Sequence, residues 1–203
     1  APVDPEVRRL TEAAARLFED FGCSLTDQDP GWPDPRDFHK VIYEVGVASR
    51  QIKRVEERPE WIEATLMQAV DNARSVSALE HGAALLARTQ LLFAAQRFFE
   101  KFDLLLTPQM PVAAWSKEPG PEEGPRQIDG RATPTMFDRL PFTYPFNLTG
   151  QPAASVPCGF TSEGLPVGIQ IVGRWRDEAT VLRAAACFEA AQPWAGLRPP
   201  QPE

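Results

Sequence analysis

The sequence predicts an α/β protein in which several long helices precede a mixed β-sheet that is closed by one further helix. Three observations carry this. Apolar residues recur at spacings of three and four in four segments of the first 102 residues. Three short runs, "DLLLTP", "ASVPCGF" and "PVGIQIV", are apolar and bounded by Pro or Gly, as buried strands are. Asp177 then opens a last apolar-periodic segment.

Each element has its own warrant. Asp4 caps the first helix, Pro5 suits its first position and Glu6 its positive end. Val7, Leu10, Ala14, Leu17, Phe18 and Phe21 form its stripe, and Gly22 stands where a left-handed cap belongs. "CSLTDQDPGWPDP" connects to a second helix over "RDFHKVIYEVGVASRQI", with Phe38, Ile42, Val45 and Val47 towards one side. Pro59 starts a third, with Trp61, Ile62, Leu66, Ala69 and Val70 as its apolar set. A long fourth helix runs from Ser77 to Phe102. Its stripe is read through Leu79, Ala83, Leu86, Gln90, Phe93, Arg97 and Glu100, widened by Leu85, Leu92, Phe98 and Phe99. So broad a stripe predicts packing on several neighbours.

"DLLLTP" is a buried strand stopped by Pro108, and residues 109–145 read as one long loop, rich in Pro and Gly. "ASVPCGF" and "PVGIQIV", joined by "TSEGLP", read as a hairpin. In its second strand Val167, Ile169 and Ile171 point one way, and Gly168, Gln170 and Val172 the other. Gln170 is then either hydrogen-bonded in the core or exposed in a cleft. The last helix uses Val181, Leu182, Ala185, Ala186 and Phe188 and ends before Pro193. The expected organisation is one domain over 1–193, mainly helical over 1–102 and sheet-containing over 103–193, with a Pro-rich tail over 194–203. The run "EPGPEEG" reads as a solvated loop.

Composition narrows function. The 203 residues are 43% hydrophobic and carry a net charge of −7, so the chain reads as globular and acidic, which argues against nucleic-acid or anionic-membrane binding. Cys23, Cys158 and Cys187 are too few and too far apart for a disulfide framework or a metal site, and fit a reducing, cytoplasmic setting. His39 and His81 are the only histidines, and neither lies in a motif that would pair it with a serine or cysteine nucleophile. No segment is long and apolar enough to cross a bilayer. No cofactor is expected.

The order "FDLLLTPQMPVAAW", "FTYPFNLTGQPAASVPCGF", "EGLPVGIQIVG", "DEATVLRAAACFE" resembles the C-terminal part of the amidase signature family, and "VDPEVRRLTEAAARLFEDFGCSL" resembles the helix after that family's catalytic region. The resemblance implies the C-terminal portion of the amidase signature fold and hydrolysis of carboxylic amides by a Ser–cis-Ser–Lys mechanism. The family includes the A subunit of the glutamine-dependent transamidosome, fatty acid amide hydrolases, and allophanate and aryl-amide hydrolases. The Gly/Ser-rich run that carries the two serines is absent from these residues, as is a lysine partnered to it. The resemblance therefore implies no catalytic residue here and a reaction centre upstream of Ala1. The candidate substrate-pocket residues are Thr107, Phe146, Asn147, Gly150 and Gln170, with an ordinary strand-end turn for Thr107, the core for Phe146 and a local backbone hydrogen bond for Asn147 as the alternative readings. Two departures bear on substrate. "ALEHGAALLAR" puts Glu80 and His81 where relatives carry a tyrosine, and "LTPQ" puts Gln109 where they have a hydroxyl. The implied partner is a small-molecule amide bound by the full-length enzyme, with a homodimer as a further expectation. A non-catalytic binding or scaffolding module that keeps the fold is the alternative.

Overall fold

The computed structural model describes residues 1–116 and 124–197. These divide into two compact units, residues 31–95 in one and the chain on either side of them in the other. Apart from Gly124, the "EPGPEEG" run lies outside the described residues, as does "RPPQPE".

In the sheet-bearing unit, α1 (Pro5–Asp20) begins as its sequence dictates. The Asp4 carboxylate accepts from the backbone N–H groups of Glu6 and Val7 at 2.9 and 3.2 Å. It ends in a paired closure typical of left-handed caps, with Gly22 N–H donating to Glu19 O and Cys23 N–H to Phe18 O. Strand β1 (Leu104–Pro108) pairs antiparallel with β5 (Pro166–Gly173), and β5 pairs antiparallel with β4 (Ala153–Phe160). The order is β1–β5–β4, so β1 and β4 are the two edges among the described strands. The α/β class holds. Every pairing among the described strands is antiparallel, and the β4–β5 hairpin is the one the sequence predicts.

Alternation along the strands splits the sheet into two unlike faces. Val156 and Cys158 of β4 and Val167, Ile169 and Ile171 of β5 pack with Val7, Ala14 and Phe18 of α1 and Val181 and Phe188 of α6 (Glu178–Ala191). Phe18 and Phe188 stack with centroids 6.0 Å apart. Gly168, Gln170 and Val172 look the other way, as do Thr107 and Ser155, which stand on either side of Gln170 in register. α6 starts where Asp177 accepts from Thr180 N–H at 3.3 Å.

The stretch 109–145 carries more structure than a plain loop. Two-residue strands β2 (Gln127–Ile128) and β3 (Arg131–Ala132) form a miniature hairpin about Asp129 and Gly130, whose φ values are 46 and 74°. An Asp-Gly pair with both φ positive is the tight-turn signature, so the signal was present in the sequence. A 3-10 turn over Met136–Arg139 follows, then α5 (Tyr144–Thr149). Arg139 is buried and donates from Nη1 to Thr133 O at 2.7 Å.

The other unit is helical. α2 (Arg36–Glu57) and α3 (Ala64–Arg74) close a small core around Val47, Val55, Ala69 and Val70. Across it the Asn72 amide donates to the buried Glu44 carboxylate at 2.7 Å. The expected third helix is divided. Pro59–Trp61 is a 3-10 turn, Ile62 and Glu63 are extended, and Trp61 is 68% exposed rather than part of the core. α4 (Ala78–Phe99), whose residues 96–99 belong to the sheet-bearing unit, is closed at its start by Ser77 and Glu80, each side chain bonding the other's backbone N–H. Its predicted stripe is corrected. Leu79, Leu86 and Phe93 are exposed by 86, 68 and 51%, whereas Ala84, Leu91, Ala95, Phe98 and Phe99 are the buried side. The helix is apolar nearly all round, so spacing identified a real stripe but not the side that is covered. Among the described residues no helix is long and apolar enough to cross a membrane.

Candidate functional site

The open face of the sheet is where polar side chains gather. Thr107, Gln170 and Ser155 form one row across β1, β5 and β4. Gln170 is only 4% exposed, and both hydrogens of its amide are used. Nε2 donates to Thr107 Oγ1 at 2.9 Å and to Phe142 O at 2.7 Å. Thr107 in turn donates to Pro108 O at 3.0 Å. The two readings left open for Gln170 thus meet in one residue, which is hydrogen-bonded in the interior and also lines a cleft.

That cleft, about 380 Å³, is bounded by the α5 segment on one side and the β4–β5 pair on the other. Phe146, Asn147 and Gln151 come from α5 and the turn after it, Ala153, Ala154 and Ser155 from β4, Gln170 from β5, and Gln109 from the residue after β1. Gln109 is held there by its backbone N–H donating to Gly168 O at 3.0 Å. A second cleft of about 280 Å³ adjoins it, sharing Gln109 and Ser155, and is walled by Met110, Trp115 and Gly168.

Five residues were expected at a pocket wall. Three of them, Phe146, Asn147 and Gln170, line the larger cleft together. Phe146 is buried and Asn147 stands exposed at the rim. Thr107 lies behind the wall and holds Gln170. Gly150 lies beneath it, as the left-handed cap of α5 with φ 76°, its N–H donating to Phe146 O at 2.7 Å. That turn reverses the chain so that Gln151 enters the cleft wall directly after the helix.

Thr143, Gln151 and Ser155 are polar lining residues of the larger cleft that the sequence reading did not select. The signal for Ser155 was available. It shares the period-two face of β4 with Ala153, opposite Val156 and Cys158. For Gln151 there was none, since its position depends on how the α5 turn folds back. Gln151 is 6% exposed. Its side-chain amide meets the buried Thr149 hydroxyl, which donates to Pro145 O at 2.9 Å.

The chemistry of the lining is uniform. Among the described residues no Asp, Glu, Lys, Arg or His lines either cleft. Such a surface can seat and orient a neutral molecule through amides, hydroxyls and an aromatic ring. It offers no general base for bond breaking. The groups able to react elsewhere are poorly tuned for it. Burial pushes the Cys158 thiol up to about 11, against a lesser opposing pull from its backbone, so it is a thiol at neutral pH. Burial also lowers His39 to about 4, leaving it neutral, and it lies on α2 in the helical unit.

Comparison with known proteins gives a consistent picture. Residues 1–182 match the family model described as Amidase. An acylamidase from Rhodococcus erythropolis is 32% identical over 199 residues, covering 97% of this chain and 41% of that protein. A 6-aminohexanoate-cyclic-dimer hydrolase from Pseudomonas sp. is 32% identical, covering 97% and 42%. Among solved structures, a bacterial aryl acylamidase of the amidase signature family superimposes with a TM-score of 0.82 at 32% identity, over 98% of this chain and 44% of that one. The chain therefore spans less than half the length of the relatives it matches.

Proposed function

We propose, from the premise that this chain belongs to the amidase family, that it forms one wall of the substrate cleft of an amide-hydrolysing enzyme. The carboxylic amide C–N bond is then cut by a Ser–cis-Ser–Lys centre carried on polypeptide outside these 203 residues. One observation carries the reading. Residues matching the Amidase family fold into a cleft with hydrogen-bonding groups and, among the described residues, no charge, suited to holding a neutral amide but not to cutting it. Phe146, Asn147 and Gln170 are its wall, and Thr107 and Gly150 hold that wall in place.

The division of labour follows from the chemistry. Amide hydrolysis needs a nucleophile, a base to take its proton, and donors for the oxyanion. A lysine serves as base only where its surroundings lower its pKa, and a binding wall free of charge leaves that tuning to the other side of the cleft. The three cysteines, all free thiols, accord with a reducing, cytoplasmic setting. The uncovered edges of β1 and β4 suit pairing with a second copy when this chain is alone, giving a homodimer.

The test is turnover. The isolated chain and the product of its complete reading frame are assayed against a panel of neutral amides, following release of the amine. The longer product is expected to hydrolyse members of the panel and the isolated chain none. Turnover by the isolated chain, abolished in His39→Ala or His81→Ala, would replace this reading with a self-contained hydrolase.

A further inference from the structure

We propose that the smaller cleft is a subsite for a compact apolar group, about a phenyl ring in size, carried by the amide that the larger cleft holds, and that Gly168 is the specificity-determining residue that keeps the two clefts continuous. This rests on the amide-hydrolase reading and deepens it, since it names the class of amide that fits.

The boundary between the clefts carries the first half of the argument. They share two lining residues, Gln109 and Ser155. Gly168 belongs to the open face of β5, and a Cβ there would meet those same two side chains first, Ser155 Oγ at 2.9 Å and Gln109 Cβ at 3.4 Å. The space that joins the clefts is thus the space that a side chain at 168 would fill. The backbone does not call for glycine at this point. Gly168 is not among the glycines with positive φ, and the irregularity of the β4–β5 pairing lies on β4, between Pro157 and Gly159. A glycine inside a strand gives up packing and chain stiffness, and often marks a place where another group approaches closely.

The second half is the contrast in lining. The larger cleft presents the polar groups of Thr143, Asn147 and Gln170, whereas the smaller is walled by Met110, Val112, Trp115, Pro166 and Val167. Its volume of about 280 Å³ is ample for one ring, since an apolar cavity of about 150 Å³ holds benzene. Trp115 is 42% exposed, yet it is pinned. A Cβ at Gly124 would come 2.9 Å from Trp115 Cζ2 and 3.0 Å from Cε2, so only bare backbone can back the indole this closely. A fixed indole and the adaptable thioether of Met110 on one cleft suit an aromatic ring, through offset ring packing and sulfur contacts. A charged substituent would leave its water for a cleft that no charged side chain lines among the described residues. A molecule with its amide in the larger cleft and its ring in the smaller, joined across Gly168, uses both surfaces.

The test is NMR titration of this chain with N-benzylacetamide. The probe is expected to shift the Trp115 indole N–H and the Met110 methyl saturably. N-methylacetamide, the same amide without the ring, should bind at least about tenfold more weakly. Trp115→Ala should weaken N-benzylacetamide about tenfold, read at Met110. Gly168→Val fills the boundary and should weaken it about tenfold, while toluene, which needs only the smaller cleft, loses less. An unchanged backbone spectrum shows that each variant is folded. Should Gly168→Val not fold, Gly168→Ala replaces it, with an expected loss of about threefold. The proposal is overturned if N-benzylacetamide leaves Trp115 and Met110 unmoved, if Trp115→Ala or the folded Gly168 variant binds it as tightly as the parent, or if the Gly168 variant weakens toluene equally. Failure here is separate from failure of the enzymatic reading. A longer polypeptide that hydrolyses N-methylacetamide and N-benzylacetamide equally well would remain an amidase and exclude the smaller cleft as its selector.

Discussion

The two faces of the sheet are made by the same strands and do opposite work. On β5, Ile169 and Ile171 are among the most deeply buried residues of the protein, pressed between α1 and α6. One position over, Gly168 and Gln170 meet clefts. The packed face owes its cohesion to apolar area, at about 25 cal/mol per Å² buried. The open face gains little from area and is ordered instead by hydrogen bonds that fix a few side chains. Substitutions on the first should act on folding, and on the second on what the cleft recognises.

The sharpest way to break the comparison is to cut into the packed face. Phe188 is fully buried, stacked on Phe18 and tilted against Trp194 at 6.4 Å. Phe188→Ala should cost about 3–5 kcal/mol, from lost transfer energy and the cavity left behind. Denaturant unfolding measures it, and a loss below that of the open-face variants would mean that the faces do not divide as described. Gln170→Leu comes next and crosses the boundary, since Gln170 sits on the open face but is buried. Removing its amide leaves Phe142 O without that donor, while Thr107 Oγ1 keeps its bond to Pro108 O, at about 1–3 kcal/mol.

A smaller effect tests how the open face is positioned. Gly150 holds φ 76°, and a Cβ there would lie 3.6 Å from Trp175 Nε1, an ordinary contact. Space is therefore available, and the cost of Gly150→Ala is conformational, about 1 kcal/mol. Gly150→Asn should cost less, since Asn tolerates the left-handed region. If Ala and Asn prove equally mild in denaturant unfolding, the left-handed turn does not govern the wall.

Much of this contrast was legible in the chain. The caps at Asp4, Ser77 and Asp177, the β4–β5 hairpin and the inward set Val167, Ile169 and Ile171 follow from local rules, because a cap or an alternation is decided by residues within a few positions. What was misread depends on distant partners. α4 shows two apolar sides, and spacing cannot say whether Leu86 or Leu91 is covered. Trp61 reads as core by type, yet the extended residues 62 and 63 turn its segment away from the helix that follows. The cleft was half legible. Phe146, Asn147 and Gln170 belong to recognisable motifs, whereas Gln151 reaches the wall only through the turn after α5, which no local pattern announces.

The finest test lies between two neighbours on the open face. A Cβ at Gly168 would come within 2.9 Å of Ser155 Oγ, closer than such atoms settle, but the nearest atom is the end of a short side chain on an exposed residue. Rotating Ser155 relieves the contact. Gly168→Ala should therefore be nearly neutral, the gain of about 0.4–1 kcal/mol from a stiffer unfolded chain offsetting the rearrangement. In a Ser155→Ala background the obstruction is gone, and the same substitution should then stabilise by most of that amount, a coupling of about 0.5 kcal/mol in a double-mutant cycle. Additive behaviour would mean that Ser155 already points elsewhere. A large loss in both backgrounds would mean that the open face is packed as tightly as the other, and the division between a face that folds and a face that recognises would fall with it.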